Sequence, residues 1–479
     1  MFGLETSMCW KREKWCNEGK ASAWRQGGAF FVRQEGTIPL KNGKLKKSEG
    51  NSFASSVQHS NMICVEYMTD ITRGRQMENT FANQHYRLLL SGFLSLAVVM
   101  GVGRFSYTPI FPYMELDQLL TPFSAGLLAT FNYIGYFLGA LGARYVPRSD
   151  KWLYIGLGVN IGTTLLMGLM DNYMIWSIWR LLSGMTSGMV FVIVSNLILS
   201  RLNQTGKMYY SGFLYGGVGF GICVSGAAIP TIQSNYGWEG TWISLGLLSG
   251  VFMVAIMLGM WKQGNSDASA PLSAQTSKNR HPELVQNRKQ AKYALYISYT
   301  GEGFGYIIFG TFITAMLVKN PSFAFESSYV WAIVGVGAIP SCLFWSWLGT
   351  RLSPVRALKW AYMMQIISIL IPVFTDHLLL TLLSALGFGA TFMGITTLTL
   401  TLAKSLEAAG PNLVSGLTAA YAIGQLLGPV VAGTIISVND FTIPFMISAV
   451  VLVAALITIN SIKERKGDAS NAVRKHQSY

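Results

Sequence analysis

Three side chains in this sequence carry chemistry that their immediate surroundings disfavour. Arg104 stands in LLLSGFLSLAVVMGVGRFSYTPIFPYM, from Leu88 to Met114, Arg180 in IWSIWRLLSGM, and Glu302 in YTGEGFGYIIFG. A charge inside hydrocarbon costs at least about 2.5–3.5 kcal/mol, so such residues face a bundle interior or a wet cavity and mark pathways, relays or counter-ions. At 1.5 Å of helix per residue, Arg104 lies about 24 Å from the Leu88 end, deep in the run or near its far face. Arginine grips a carboxylate bidentately and does not titrate, whereas a carboxylate can change its protonation. Glu302 is therefore the candidate coupling group: desolvation favours its neutral form and an approaching arginine its charged form. Two arginines against one carboxylate leave one positive charge over, which a carboxylate-bearing or otherwise anionic solute would neutralise. The competing reading is an interhelical latch, with arginine on helix carbonyls or Arg104 paired to Glu302.

A second rank of polar residues surrounds these charges. Tyr107, Tyr306 and Tyr421 could line a cavity with hydroxyls, although tyrosine is also common at membrane interfaces. Asn132 and Gln425 lie well inside apolar runs, where amides commonly bond between helices. Thr396 belongs to TFMGITTLTLTL, whose hydroxyls could line a pore or bond back to their own helix. Gly101, Gly103, GLGVNIG and GGVGFG let helices approach closely, and Pro109, Pro112 and Pro429 can bend them.

The elements that must position these residues are membrane spans. Charged residues make up only 12% of the 479, against about a quarter in soluble domains. Twelve apolar runs follow one another: 88–114, 121–143, 151–170, 173–200, 208–232, 241–261, 292–317, 327–349, 357–374, 378–402, 413–438 and 440–462. Each approaches the roughly 20 residues that cross a bilayer as helix, and none alternates as a barrel strand does. The net charge of +14 could suggest nucleic acid, but the basic residues fall in the N-terminal tail and in short segments between runs. The even-numbered connections carry Arg144, Arg148, Lys151, Arg201, Lys207, Arg351, Arg356, Lys359 and Lys404. The odd-numbered ones carry Glu115, Asp117, Asp171, Glu239, Glu326, Asp376 and Asp440, with Lys319 as the basic exception. By the positive-inside rule both termini are cytoplasmic.

The expected architecture is an all-α polytopic membrane protein, twelve transmembrane helices in two pseudo-symmetric six-helix bundles, 88–261 and 292–462. A polar extension, 1–87, is expected to be disordered. A Ser-, Gln- and Asn-rich linker, 262–291, joins the bundles, and a tail covers 463–479. The sequence holds no GxxxxGK[ST] loop, no HExxH, no paired CxxC and no catalytic constellation. Its five cysteines are scattered without ligand spacing. A transporter rather than an enzyme is expected, with no cofactor, no metal and no nucleic-acid partner.

Two motifs resemble those of a known family. Arg180 opens R-L-L-S-G-M-T-S-G, similar to the fourth-helix Arg-x-x-x-Gly of the major facilitator superfamily. Gly424-Gln-Leu-Leu-Gly428-Pro429-Val-Val-Ala-Gly433 is similar to its G-x-x-x-G-P-x-x-G-G motif, with Ala432 in place of the first paired glycine. G-R-F-S-Y-T-P-I-F-P-Y-M from Gly103, with E-G-F-G-Y from Glu302, resembles the bacterial YbfB/YjiJ-type branch. The resemblance spans roughly 88–462 and implies a rocker-switch transporter, usually ion-driven, whose helices 1, 4, 7 and 10 line a central cavity. It also implies a proton-coupling role for Arg180. The sequence departs from the family at the second loop, where Gly142 is followed by ARYVPRSDK without the family's Asp and second Gly, and at Gly349-TRLSPVR. The fifth run also lacks the proline of the antiporter version. The expected function is secondary transport of a small organic solute, anionic and proton-coupled, by a monomer in the bacterial cytoplasmic membrane. Efflux of drug-like compounds, or sensing without turnover, are the alternatives.

Overall fold

In the computed structural model the described residues are 23–26, 29–32, 86–117, 119–143, 145–146, 150–204, 210–260, 287–319, 327–406, 413–436 and 440–464. The chain divides into two units, Met1–Gln84 and His85–Tyr479. In the first, β1 (Ala23–Gln26) pairs antiparallel with β2 (Ala29–Val32), Gln26 opposite Ala29 and Ala23 opposite Val32. This short ladder was not foreseen within the polar extension. The expected disorder of the rest of 1–85, and the linker residues 261–286, lie outside the described residues.

The second unit is helical. Its elements are α1 (Tyr86–Leu116), α2 (Pro122–Gly142), α3 (Asp150–Met167), α4 (Tyr173–Gln204) and α5 (Ser211–Met260). There follow α6 (Arg288–Lys319), α7 (Ser327–Leu352), α8 (Pro354–Phe374), α9 (Leu378–Leu406), α10 (Leu413–Ile435) and α11 (Thr442–Asn460). Among the described residues, ten helices are long and apolar enough to cross a membrane. Local chemistry sets several starts. Thr121 and Ser124 form a reciprocal capping box at α2, with Pro122 in the first turn where its missing N–H costs nothing. Ser353 caps α8 by accepting the Arg356 N–H at 3.3 Å, and its hydroxyl also bonds the Glu464 carboxylate beyond α11.

Two expected boundaries are corrected. The break between the fifth and sixth runs, expected over 233–240, is a single residue inside α5: Gly237 at φ 69°, ψ −175°, a backbone that glycine adopts without steric cost. Thr241 bonds back to the Gly237 carbonyl at 2.8 Å, so helix resumes at once. The first run is one span but not one uniform helix. Ala97–Val102 form a π-turn, in which Gly103 N–H bonds Val98 O at 2.8 Å and Phe105 N–H bonds Met100 O at 3.0 Å, five residues back.

The distribution of polarity is that of a protein whose solvent is lipid. Large apolar side chains such as Val251, Leu258, Ile367, Val450 and Ile457 are exposed, while Arg104, Arg180, Glu302, Asn132, Asn160, Gln365 and Gln425 are buried. Close backbone approach holds the bundle together. A Cβ on Gly101 would lie 2.4 Å from Gly221 Cα, so α1 and α5 touch backbone to backbone there.

Candidate functional site

The site begins at the π-turn of α1. Widening the helix there leaves the Gly103 and Arg104 carbonyls to side chains of α4. Arg180 donates from Nη1 to Gly103 O at 3.2 Å and from Nη2 to Arg104 O at 3.4 Å, while Ser183 donates to Gly103 O at 3.2 Å. Ser187 donates to Val99 O at 2.7 Å. Behind them, the Asn160 amide of α3 donates to Ser183 O at 3.0 Å and reaches the Ser183, Thr186 and Ser187 hydroxyls at 3.3, 3.2 and 3.1 Å. Asn132 of α2 donates to the Arg180 carbonyl at 3.0 Å. Arg180 is thus held on carbonyls, as the latch reading has it, and its guanidinium also lies 4.5 Å from the Tyr107 ring. Tyr107 donates to Ala125 O at 2.9 Å, so its hydroxyl has a structural partner.

Arg104 is held differently. Its guanidinium lies 4.3 Å from the Tyr136 ring, 4.7 Å from Tyr133 and 5.2 Å from Phe105. It is only 4% exposed, yet Nε and Nη2 have no hydrogen-bond partner. Aromatic faces offset part of the cost of burying the cation but leave those donors unsatisfied.

Glu302 of α6 is fully buried, and Oε1 accepts from Gln365 of α8 at 2.9 Å, with Oε2 unpartnered. No ion pair joins it to Arg104 or Arg180 among the described residues, so the buried pair is not formed in this structure. The reason lies in the placement of the charges: both arginines gather at the α1 turn, whereas Glu302 faces α8. Its electrostatic neighbours are Tyr299, Tyr362 and Tyr421.

Aromatic rings run between the two charge centres. Phe105 meets Phe392 edge-on at 6.2 Å, Phe392 stacks on Tyr306 at 5.9 Å, Tyr306 on Tyr421 at 5.6 Å, and Tyr421 on Tyr299 at 4.5 Å. Gln425 of α10 hydrogen-bonds the Tyr306 hydroxyl. Thr396 bonds back to Phe392 O at 3.2 Å and lies beside Tyr299. The sequence reading missed Tyr133, Tyr136, Asn160 and Gln365. An amide isolated in an apolar run, as in GVNIG and MMQIIS, is the signal that would have found the last two.

Across the middle of the molecule, Thr108 donates to Gly310 O at 2.8 Å and Thr314 donates to Thr108 O, tying α1 to α6. Thr130 of α2 donates to Leu426 O of α10 at 3.2 Å.

Comparison with known proteins places this geometry. Residues 96–460 match the family described as "Uncharacterised MFS-type transporter YbfB". No curated protein sequence matches the chain. Among solved structures, a crystal structure of the nucleoside transporter NupG superposes with a TM-score of 0.59 at 15% identity, covering 80% of this chain and 100% of that one. A point mutant of NupG gives 0.59 at 14% identity, covering 79% and 99%. At that identity the likeness is one of fold.

Proposed function

The chain belongs to the YbfB-type family of major facilitator transporters, and from that premise we propose that it is a proton-coupled secondary transporter of a small organic anion. The observation that carries this reading is the separation of charge. Among the described residues, two buried arginines meet at the broken part of α1 with no ion pair to a carboxylate, and one buried carboxylate stands across an aromatic stack in α6. A proton carrier must change charge, which Glu302 can do and arginine cannot. A site with uncompensated positive charge is one an anion completes.

The ten membrane-crossing helices of the described residues support a reading of twelve spans in two six-helix bundles, with alternating access about this site. The count follows if α3 crosses, and if α5, at 50 residues about 75 Å of helix and more than twice the hydrocarbon thickness, is two spans divided at Gly237. The basic residues of the even-numbered connections support cytoplasmic termini in a bacterial inner membrane. The protein acts as a monomer with lipid and a small solute as its partners, and no nucleic acid.

The test is uptake by the purified chain in proteoliposomes. An imposed inward-acidic or outward-acidic pH gradient is expected to drive accumulation of an organic anion in one direction, with counterflow in its absence. Binding of ligands without movement under either gradient would make the protein a sensor on a transporter fold. The stacked aromatics favour one second reading, export of amphipathic drug-like compounds, which the same assay separates by the identity of the moving solute.

A further inference from the structure

The unpartnered donors of Arg104 are two particular nitrogens. Nη2 is the terminal nitrogen trans to Cδ, so one of its N–H bonds runs parallel to Nε–H, and the two form the side-on edge that accepts both oxygens of a carboxylate. Those are the two atoms of Arg104 without a partner, on a side chain only 4% exposed. Tyr133, Tyr136 and Phe105 pack around the guanidinium, and the Nε–Nη2 edge is the part of it left without a protein partner. Among the described residues no carboxylate forms an ion pair with Arg104. Arg180 adds a second cation beside it, and the Glu302 carboxylate is bonded to Gln365. A buried charged donor left unsatisfied costs about 1–3 kcal/mol or more, so an unfilled edge here is a standing deficit that a ligand removes.

We infer that the Nε–Nη2 edge of Arg104 is the docking edge for a monocarboxylate carried on an aromatic body. The body follows from what lies next to the edge. Phe105, under the guanidinium, meets Phe392, which lies parallel to Tyr306 with an interplanar angle of 1°. Parallel rings accept another flat ring by offset stacking more readily than a compact aliphatic chain. Arg180 is a positioning residue in this arrangement: its Nη2 holds the Arg104 carbonyl, which fixes where the fork points. The inference names the solute class of the proposed transporter and rests on that reading, but it concerns binding, which is measured without transport.

The experiment is thermal melting and equilibrium binding of the full detergent-purified chain with sodium benzoate, benzamide, sodium acetate and sodium chloride at equal concentrations. Benzoate is expected to raise the melting temperature saturably, with benzamide, acetate and chloride doing little. Arg104→Lys keeps the charge but loses the fork, and benzoate affinity is expected to fall about ten- to a hundredfold, as loss of one charge-assisted hydrogen bond implies. The wild-type comparison does not depend on how that variant folds. Benzamide matching benzoate would overturn the carboxylate, and acetate matching benzoate would overturn the aromatic body. Unchanged benzoate affinity in well-folded Arg104→Lys would overturn the edge. If none of the four binds while proteoliposomes still accumulate another solute, this inference falls and the transporter reading stands. If benzoate binds and nothing is transported, the reverse holds.

Discussion

The two helices that carry the site, α1 and α6, solve the same problem in opposite ways. α1 gives up regular hydrogen bonding at Ala97–Val102, and its carbonyls are taken over by Arg180, Ser183 and Ser187, while its own charge, Arg104, keeps two donors open. α6 stays a regular helix of 32 residues, and its charge, Glu302, has one oxygen bonded by Gln365. Arg104 is a cation ringed by aromatic side chains with two donors unpartnered. Glu302 is a carboxylate beside an amide and three tyrosines. On the proposed function, the difference would give binding to α1 and coupling to α6, and that division can be attacked from either side.

The largest effect is expected at the coupling side. Glu302→Gln preserves volume and can still hydrogen-bond Gln365, but it cannot ionise. Proton-driven accumulation in proteoliposomes should fall to the level of protein-free vesicles while counterflow persists. Accumulation that survives would make Glu302 a packing residue and erase the contrast. Next comes Arg180→Lys, which removes the two-carbonyl clamp. A loss of about 1.5–3 kcal/mol in stability is expected, since hydrogen bonds from a charged group are at stake, together with weaker benzoate binding through a loosened Arg104. A variant that melts earlier but binds benzoate unchanged would show that the two arginines act independently. Gly101→Ala should cost about 1–3 kcal/mol by overpacking against Gly221, read as an earlier melt. An equal cost at Gly158, whose Cβ would meet open space, would remove the special status of the α1–α5 contact.

The smallest effect is expected far from both charges. Asp440 accepts the Thr442 N–H at 2.9 Å, and this bond holds its carboxyl below the usual aspartate range. A depressed folded value stabilises above the unfolded value and is lost as pH falls through the folded one, so Asp440→Ala should lower the melting temperature slightly at neutral pH and not at acid pH, which makes the acid limb of a pH–melting profile shallower. A change as large as that at Arg180 would place unsuspected weight on the last loop.

What could be read in the sequence follows a simple physical line. A charge in an apolar run is conspicuous because its burial is expensive, so Arg104, Arg180 and Glu302 stood out, as did the spans that carry them. How those charges pair was not legible, because pairing depends on the facing of helices far apart in sequence. Arg180 and Glu302 share one pattern of an ionisable residue among apolar neighbours, yet one rests on carbonyls and the other on Gln365. The π-turn was equally hidden. AVVMGV has nothing that distinguishes it from regular helix, and what stabilises the wider turn is donated by α4. Tyr133 and Tyr136, spaced to share a face of α2, looked like ordinary membrane tyrosines until a guanidinium was found beside them.

The π-turn also divides α1 into two rods with different attachments. The rod before it lies against α5, with Phe93 stacked on Phe213 at 4.9 Å. The rod after it is tied to α6, by Thr108 to Gly310 and by Phe111 edge-on to Phe312 at 5.8 Å. Between them sit Gly103 to Ser106, the four residues that include Arg104. Arg104 stands on the join itself, between the contact with α5 and the ties to α6. The backbone at Arg104 is thus the stretch where the attachments of α1 change from one neighbour to another.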